Sequence, residues 1–230
     1  MPAPANVAPI FQGLHTDLVG LQVRWLMYRQ LFGTSQERVE LLNRRAPAYF
    51  GIAQATLLDD VLSGIARITD KTVVCGKDNL VLRQMIEELD EATHATEIAA
   101  LEAKQAAVAA AVGPITTIRH KRLSHRDMQF ALNPTAHPLP PIDRQQVEEA
   151  LAAIADFMNT FQILFGEEQY QYAETVTELG NGDALIRHLQ RAEAHLELEK
   201  TGAARPPRLS AVEAPSRSLP LGDAGGVRRV

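Results

Sequence analysis

Leu14, Leu18, Leu21, Trp25, Tyr28 and Phe32 recur at intervals of four and three residues. That spacing lines all six on one face of an α-helix. The same periodicity returns along the chain. It gives Phe50, Gln54, Leu57, Val61, Ile65 and Ile68, then Leu82, Met85, Ile86 and Leu89, then Ile98, Leu101, Gln105, Val108, Val112 and Ile115, and finally Val147, Leu151, Ile154, Met158, Phe161 and Phe165. No stretch shows sustained period-two alternation. Aromatic residues are only 5% of the chain and alanine is abundant, which favours helix over sheet. One-sided apolar stripes of this length must bury against one another, so the expected class is all-α, an up-and-down bundle of four to five long helices.

Local signals place the boundaries. Gly33 stops the first helix, and Thr34 with Glu37 spells a capping box that opens a second. Pro47 ends that short helix and starts the next, which runs to about Asp70. Residues 71–78 read as a loop, with a further helix starting at Asp78 or Asn79. From about Thr93 a long Ala-rich helix is expected, kinked or split at Gly113-Pro114 and resuming to Asp127. Four prolines between Asn133 and Pro141 make a loop. Asp143 and Gln146 then form a capping box with Ile142 as staple. A last helix is expected over about Gly182–Glu199. The bundle domain is expected over residues 10–200, between a flexible N-terminus of residues 1–9 and a disordered tail, residues 201–230, rich in Pro, Gly, Ala and Arg.

Composition narrows the function classes. The lone cysteine, Cys75, excludes an internal disulfide framework and any zinc site of paired cysteines. No apolar run approaches the roughly 20 residues of a membrane span, and the N-terminus lacks the pattern of a signal peptide. A cytoplasmic protein without a membrane partner is expected. The net charge of −5 argues against general coating of nucleic acid, so any such contact must come from a local basic patch.

That patch is Arg119-His120-Lys121-Arg122-Leu123-Ser124-His125-Arg126-Asp127, with four fixed cations and two histidines in nine positions. Extending the apolar seam past Ile115 in steps of three and four lands on Arg119, Arg122, His125 and Arg126. The inward stripe turns charged, and such side chains require carboxylates, a partner subunit or an anionic ligand. Histidine exchanges protons near neutral pH, and arginine is a planar donor matched to a phosphate. Together they suffice for attack of an RNA 2′-hydroxyl on its neighbouring phosphate, without metal or cofactor. A solvated basic end of a helix is the plain alternative.

An Arg, a polar residue and, after a short spacer, a His form the signature of the HEPN ribonuclease superfamily, here Arg119-His120 through His125. The fuller pattern resembles the abortive-infection U branch of phage-defence proteins. Trp25…Tyr28…Leu31-Phe32, Leu41-Leu42-Asn43, Phe50, Leu58-Asp59-Asp60 and Arg67-Ile68-Thr69-Asp70 agree with it, over roughly residues 10–190. The resemblance implies a homodimer whose two motifs share a cleft and act on RNA. His125 is then general acid or base, Arg119 the scissile-phosphate ligand and His120 an assistant. Lys121, Arg122 and Arg126 are candidate RNA-binding residues. Where many relatives have Tyr two residues after the His, this chain has Asp127. On an ideal helix Arg119 and His125 point about 120° apart, so they converge only if the helix unwinds or two subunits supply opposing groups.

Asp59, Asp60, Asp70 and Asp127 are candidate supporting carboxylates for Arg119 or Arg122. Asp59 and Asp60 read equally as a surface charge face, and Arg67 and Asp70 could simply pair with each other. A metal triad of His120, His125 and Asp127 lacks a fourth partner and sits among repelling cations. His15, His94, His137, His188 and His195 read as ordinary surface or loop residues, Trp25 and Tyr28 as core, and Cys75 as incidental. The functional expectation is a metal-independent endoribonuclease in a phage-defence or toxin–antitoxin setting, with a partner protein possible. The alternative is a non-catalytic helical dimer binding RNA, nucleotide or a protein partner, as scaffold or antitoxin-like regulator. The first requires Arg119 and His125 at an open dimer cleft; the second buries them in salt bridges to Asp59, Asp60 or Asp70.

Overall fold

The structure is a computed structural model describing residues 3–124, 128–133, 135–175 and 180–202. Helix α1 (Ala8–Phe32) is followed by α2 (Gln36–Arg45) and α3 (Pro47–Ile68), a hairpin of two-residue strands β1 (Val73–Val74) and β2 (Lys77–Asp78), α4 (Leu82–Glu87) and α5 (Glu91–Ile118). A π-helical segment, Arg119–Ser124, continues α5 directly; α6 (Met128–Leu132), α7 (Arg144–Leu164), a 3₁₀ turn (Tyr172–Glu174) and α8 (Gly182–Lys200) complete the order. Among the described residues the fold is all-α apart from the hairpin.

The periodic stripes form the core. Leu14, Leu18, Leu21 and Trp25 of α1 are buried, as are Val61, Ile65 and Ile68 of α3, and Tyr28 packs against them at the margin. All six stripe residues from Val147 to Phe165 are buried. Contacts along the helices fix their directions. Asp17 meets Arg67 at 3.5 Å and Arg24 meets Asp60 at 2.7 Å, so α1 and α3 run antiparallel. Lys104 meets Asp156, and His94 lies against Phe165, so α5 and α7 are antiparallel too. A smaller cluster of Leu31, Leu41, Leu42, Phe50 and Ile186 joins the end of α1, α2, the start of α3 and the start of α8.

Several local expectations are corrected. The N-cap of α2 is Ser35, whose hydroxyl accepts from the Arg38 N–H, while Thr34 turns back to the Arg29 carbonyl. Asp143 and Gln146 do form the expected capping box. Helix α5 is neither split nor kinked at Pro114; its one residue with non-helical dihedrals is His94. The loop after α3 holds the hairpin, and α4 starts only at Leu82, after a backbone that pairs Asn79 N–H with the Thr72 carbonyl at 2.7 Å. Val7 is fully buried and the Asn6 amide donates to the Glu88 carbonyl.

His15 and His94 are not ordinary surface residues. His15 Nδ1 lies 2.9 Å from the hydroxyl of buried Tyr172, and its ring touches Phe11 and Tyr170. His94 is buried and bonded to the Thr93 hydroxyl. By length and composition alone, the helix over Glu91–Arg122 could cross a membrane, contrary to the expectation of no such stretch. Its alanines supply that apolar character, while its stripe of Leu101, Val108, Val112 and Ile115 belongs to the core shared with α7.

Contacts group the chain into a unit through Gln190 and a second from Arg191. In the second, the described residues are the end of α8 and its last turn, where His195 faces Glu199 and Lys200 pairs with Glu197. Of the expected tail over residues 201–230, residues 203–230 lie outside the described residues.

Candidate functional site

At Arg119 the winding changes from α to π and stays so through Ser124. A change of winding at a motif is a common mark of functional positions. His125, Arg126 and Asp127 themselves lie outside the described residues. The basic segment therefore follows a buried seam, ending at Ile115 and Ile118, and begins where that seam stops being apolar.

Helix α3 and the residue just past its C-cap supply the carboxylates. Arg119 Nη1 is 2.7 Å from Asp70 Oδ2, and the two side chains keep only 25% and 21% of their exposure. Asp70 is itself fixed, since its Oδ1 accepts from the Lys71 N–H at 2.9 Å. Just before it, the Thr69 hydroxyl donates to the Ile65 carbonyl, closing the end of α3. Arg122 pairs with Asp59, at the more exposed end of the segment. Among the described residues Asp60 pairs with Arg24. Arg67 reaches Asp17 rather than Asp70. His120 and Lys121 are exposed.

The Arg119–Asp70 pair is half-desolvated, so it orients the guanidinium more firmly than a surface pair would. Asp70 engages one guanidinium nitrogen, and an arginine carries five N–H donors. Arg119 can thus keep its carboxylate and still present donors to an anion. A recess of about 410 Å³ opens beside it, lined by Arg119, His120 and Lys71 on one side and Val73, Val74 and Cys75 of the hairpin on the other. A second, of about 310 Å³, shares Asp70, Val74 and Arg119 and is completed by Arg67, Asp78, Asn79 and Leu80. Among the described residues no group of three or more His, Cys, Asp and Glu is placed to hold a metal ion.

The hairpin is the part of the site that sequence reasoning missed. Its signal is Val73-Val74-Cys75-Gly76: two β-branched residues followed by a pair in which the second is glycine. Cys75 and Gly76 both adopt positive φ, 51° and 74°, the conformation of a tight two-residue hairpin turn. Cys75 forms the hairpin tip and lines the recess.

With this geometry in hand, the comparison with known families is decisive for kinship. The family HEPN_AbiU2, described as AbiU2, matches residues 5–182. The chain belongs to the AbiU2 family of HEPN proteins. The match spans α1 through the start of α8 and includes the whole Arg119–His125 motif. It identifies the protein as HEPN-type and of an abortive-infection, phage-defence family. No curated protein and no solved structure matches the chain. Within the matched region Arg119 is anchored by Asp70, and the exposed His120 and the hairpin line the recess beside it.

Proposed function

We propose that this AbiU2 protein is a metal-independent endoribonuclease, acting as a cytoplasmic homodimer in phage defence or as the toxin of a toxin–antitoxin pair. One observation carries the reading: Arg119 of the HEPN motif is anchored by Asp70 at the edge of a solvent-open recess, with His120 beside it. A guanidinium so held is preorganised for a phosphodiester whose charge grows in the transition state.

In the proposed reaction the RNA 2′-oxygen bonds to phosphorus and the bond from phosphorus to the 5′-oxygen breaks. The 2′-hydroxyl proton passes to a general base, and the leaving 5′-oxygen takes a proton from a general acid. The products are a 2′,3′-cyclic phosphate and a 5′-hydroxyl. The family resemblance gives His125 the acid or base role and His120 an assisting one, while Arg119 balances the phosphoryl charge. Lys121, Arg122 and Arg126 serve as contacts to flanking phosphates. Asp70 and Asp59 act as supporting carboxylates by holding Arg119 and Arg122, and Asp127 remains a candidate for the same work.

The test is the chemistry of the ends. Cleaved RNA should carry 2′,3′-cyclic phosphates, and a substrate methylated at the 2′-oxygens should resist. Products with 5′-phosphates, or cleavage of the methylated substrate, would remove the mechanism.

A second reading has its own observation. Arg119 and Arg122 already have carboxylate partners in the single chain, as a non-catalytic scaffold or antitoxin-like regulator binding RNA, nucleotide or a partner protein would require. That reading expects the protein to bind without cleaving, and Asp70→Asn to lower stability with no activity to lose.

A further inference from the structure

Two recesses meet at the Arg119–Asp70 pair. Both include Asp70, Val74 and Arg119 in their linings, and their volumes are about 410 and 310 Å³. Each lies in the range of small-molecule sites, about 300–1,000 Å³. A scissile phosphate in RNA is likewise flanked by two nucleosides. We propose that hairpin β1–β2 is the substrate-reading element of this centre, and that the two recesses take the nucleosides on either side of the phosphate held by Arg119 in single-stranded RNA. The inference rests on the ribonuclease reading and adds to it the substrate step and the element that selects it.

The hairpin has the chemistry for this. Val73 and Val74 are 52% and 42% exposed, so they contribute little to the core. Apolar side chains left open beside fixed cations suit the faces of bases, which are apolar, next to a backbone, which is anionic. The two recesses also differ at their edges. The first has the Lys71 ammonium and the His120 imidazole; the second has the Arg67 guanidinium together with Asp78 and Asn79, a carboxylate acceptor and an amide that the first lacks. Acceptors and amides of this kind read the hydrogen-bonding edges of unpaired bases. Different edges on the two sides give a directional preference for one dinucleotide step over its reverse.

The element is also preorganised. The Asn79 side-chain amide donates to the Lys71 carbonyl at 2.9 Å, and its backbone N–H to Thr72. The tip is closed by the left-handed pair Cys75-Gly76. A duplex keeps its bases paired and stacked, and cannot offer one to each recess; a single strand can.

The chain carries its own reporter, because Cys75 is its single cysteine, is exposed and lines the first recess. The experiment measures the rate at which the thiol reagent DTNB labels Cys75, with and without a 2′-deoxy single-stranded oligonucleotide that cannot be cleaved through a 2′-hydroxyl. At ten times its Kd, read separately by fluorescence anisotropy, the oligonucleotide should slow labelling about tenfold. Inorganic phosphate, which fills only the anion position, should leave the rate nearly unchanged. Val74→Asp, at an exposed position, should remove the protection and flatten the preference among dinucleotide steps in cleavage of long RNA. Arg119→Ala should remove both protection and cleavage. If wild type cleaves RNA yet bound oligonucleotide leaves Cys75 equally reactive, or if Val74→Asp keeps the wild-type step preference, the hairpin role is refuted and the ribonuclease reading stands. If the protein neither cleaves nor binds RNA, both fall.

Discussion

Gly64 lies where α3 crosses α1, and a Cβ built there would overlap Leu21 Cδ2 and come within 3.3 Å of Leu21 Cγ. Leu21 is itself fully buried and cannot swing into solvent. Gly64→Ala therefore overpacks the crossing, at a cost of about 1–3 kcal/mol. Alanine also gains about 0.8–1 kcal/mol of helix propensity over glycine. The net expectation is a loss between roughly zero and 2 kcal/mol. The same helix provides the control, since a Cβ at Gly51 meets nothing within 4 Å. Gly51→Ala should show the propensity gain alone, raising Tm by about 2–4 °C at this chain length. The difference between the two variants isolates packing and should be about 1–3 kcal/mol in urea unfolding. Leu21→Ala should then cost less in the Gly64→Ala background than alone, because the overlap disappears with the leucine side chain. Equal stability of Gly51→Ala and Gly64→Ala would refute the close crossing of α1 and α3.

Asp143→Ala removes the side-chain half of the α7 capping box, the carboxylate that accepts from the Gln146 N–H, and leaves the backbone half; it should cost about 0.5–2 kcal/mol, read as a lower urea midpoint with unchanged slope. Cys75 holds φ at 51°, so Cys75→Asn should slow amide exchange in the hairpin, asparagine being the non-glycine residue most at ease there. Burial beside Tyr172 lowers the pKa of His15 below its ordinary 6.5. Between that lowered value and 6.5 the unfolded chain binds more protons than the folded one, so stability rises with pH through this window and is lost as pH falls below 6.5. Urea midpoints of wild type should drop from pH 7.5 to pH 5, and the drop should be shallower in His15→Gln.

What the sequence made legible was whatever depends on periodicity. The Val147-to-Phe165 stripe is buried in full because a helix carries its three-four spacing without help from neighbours. The charge reversal after Ile115 was equally local, and it pointed to Arg119 and Arg122 before any partner was visible. The partners were not readable in the same way. Asp59 and Asp60 lie on α3 and Asp70 just past its C-cap, and only the packing decides that Asp60 turns to Arg24 while Asp59 and Asp70 pair with Arg122 and Arg119. The hairpin escaped because two-residue strands are too short to alternate, and its turn uses Cys-Gly where Asn-Gly is the usual sign. Pro114 misled for a related reason: a proline disturbs a helix by its missing N–H and its ring, yet α5 absorbs it without breaking. His15 read as a surface residue since nothing nearby in sequence announces Tyr172, which lies more than 150 residues away.

The most direct test of the central claim is cleavage of total cellular RNA by purified protein in excess EDTA, comparing wild type with Arg119→Ala, Arg119→Lys and His125→Ala. The account predicts cleavage by wild type, loss in Arg119→Ala and His125→Ala, and at most weak recovery in Arg119→Lys, whose ammonium lacks the planar fork that can hold Asp70 and a phosphate together. No cleavage by folded wild-type protein, or undiminished cleavage by Arg119→Ala, would contradict it.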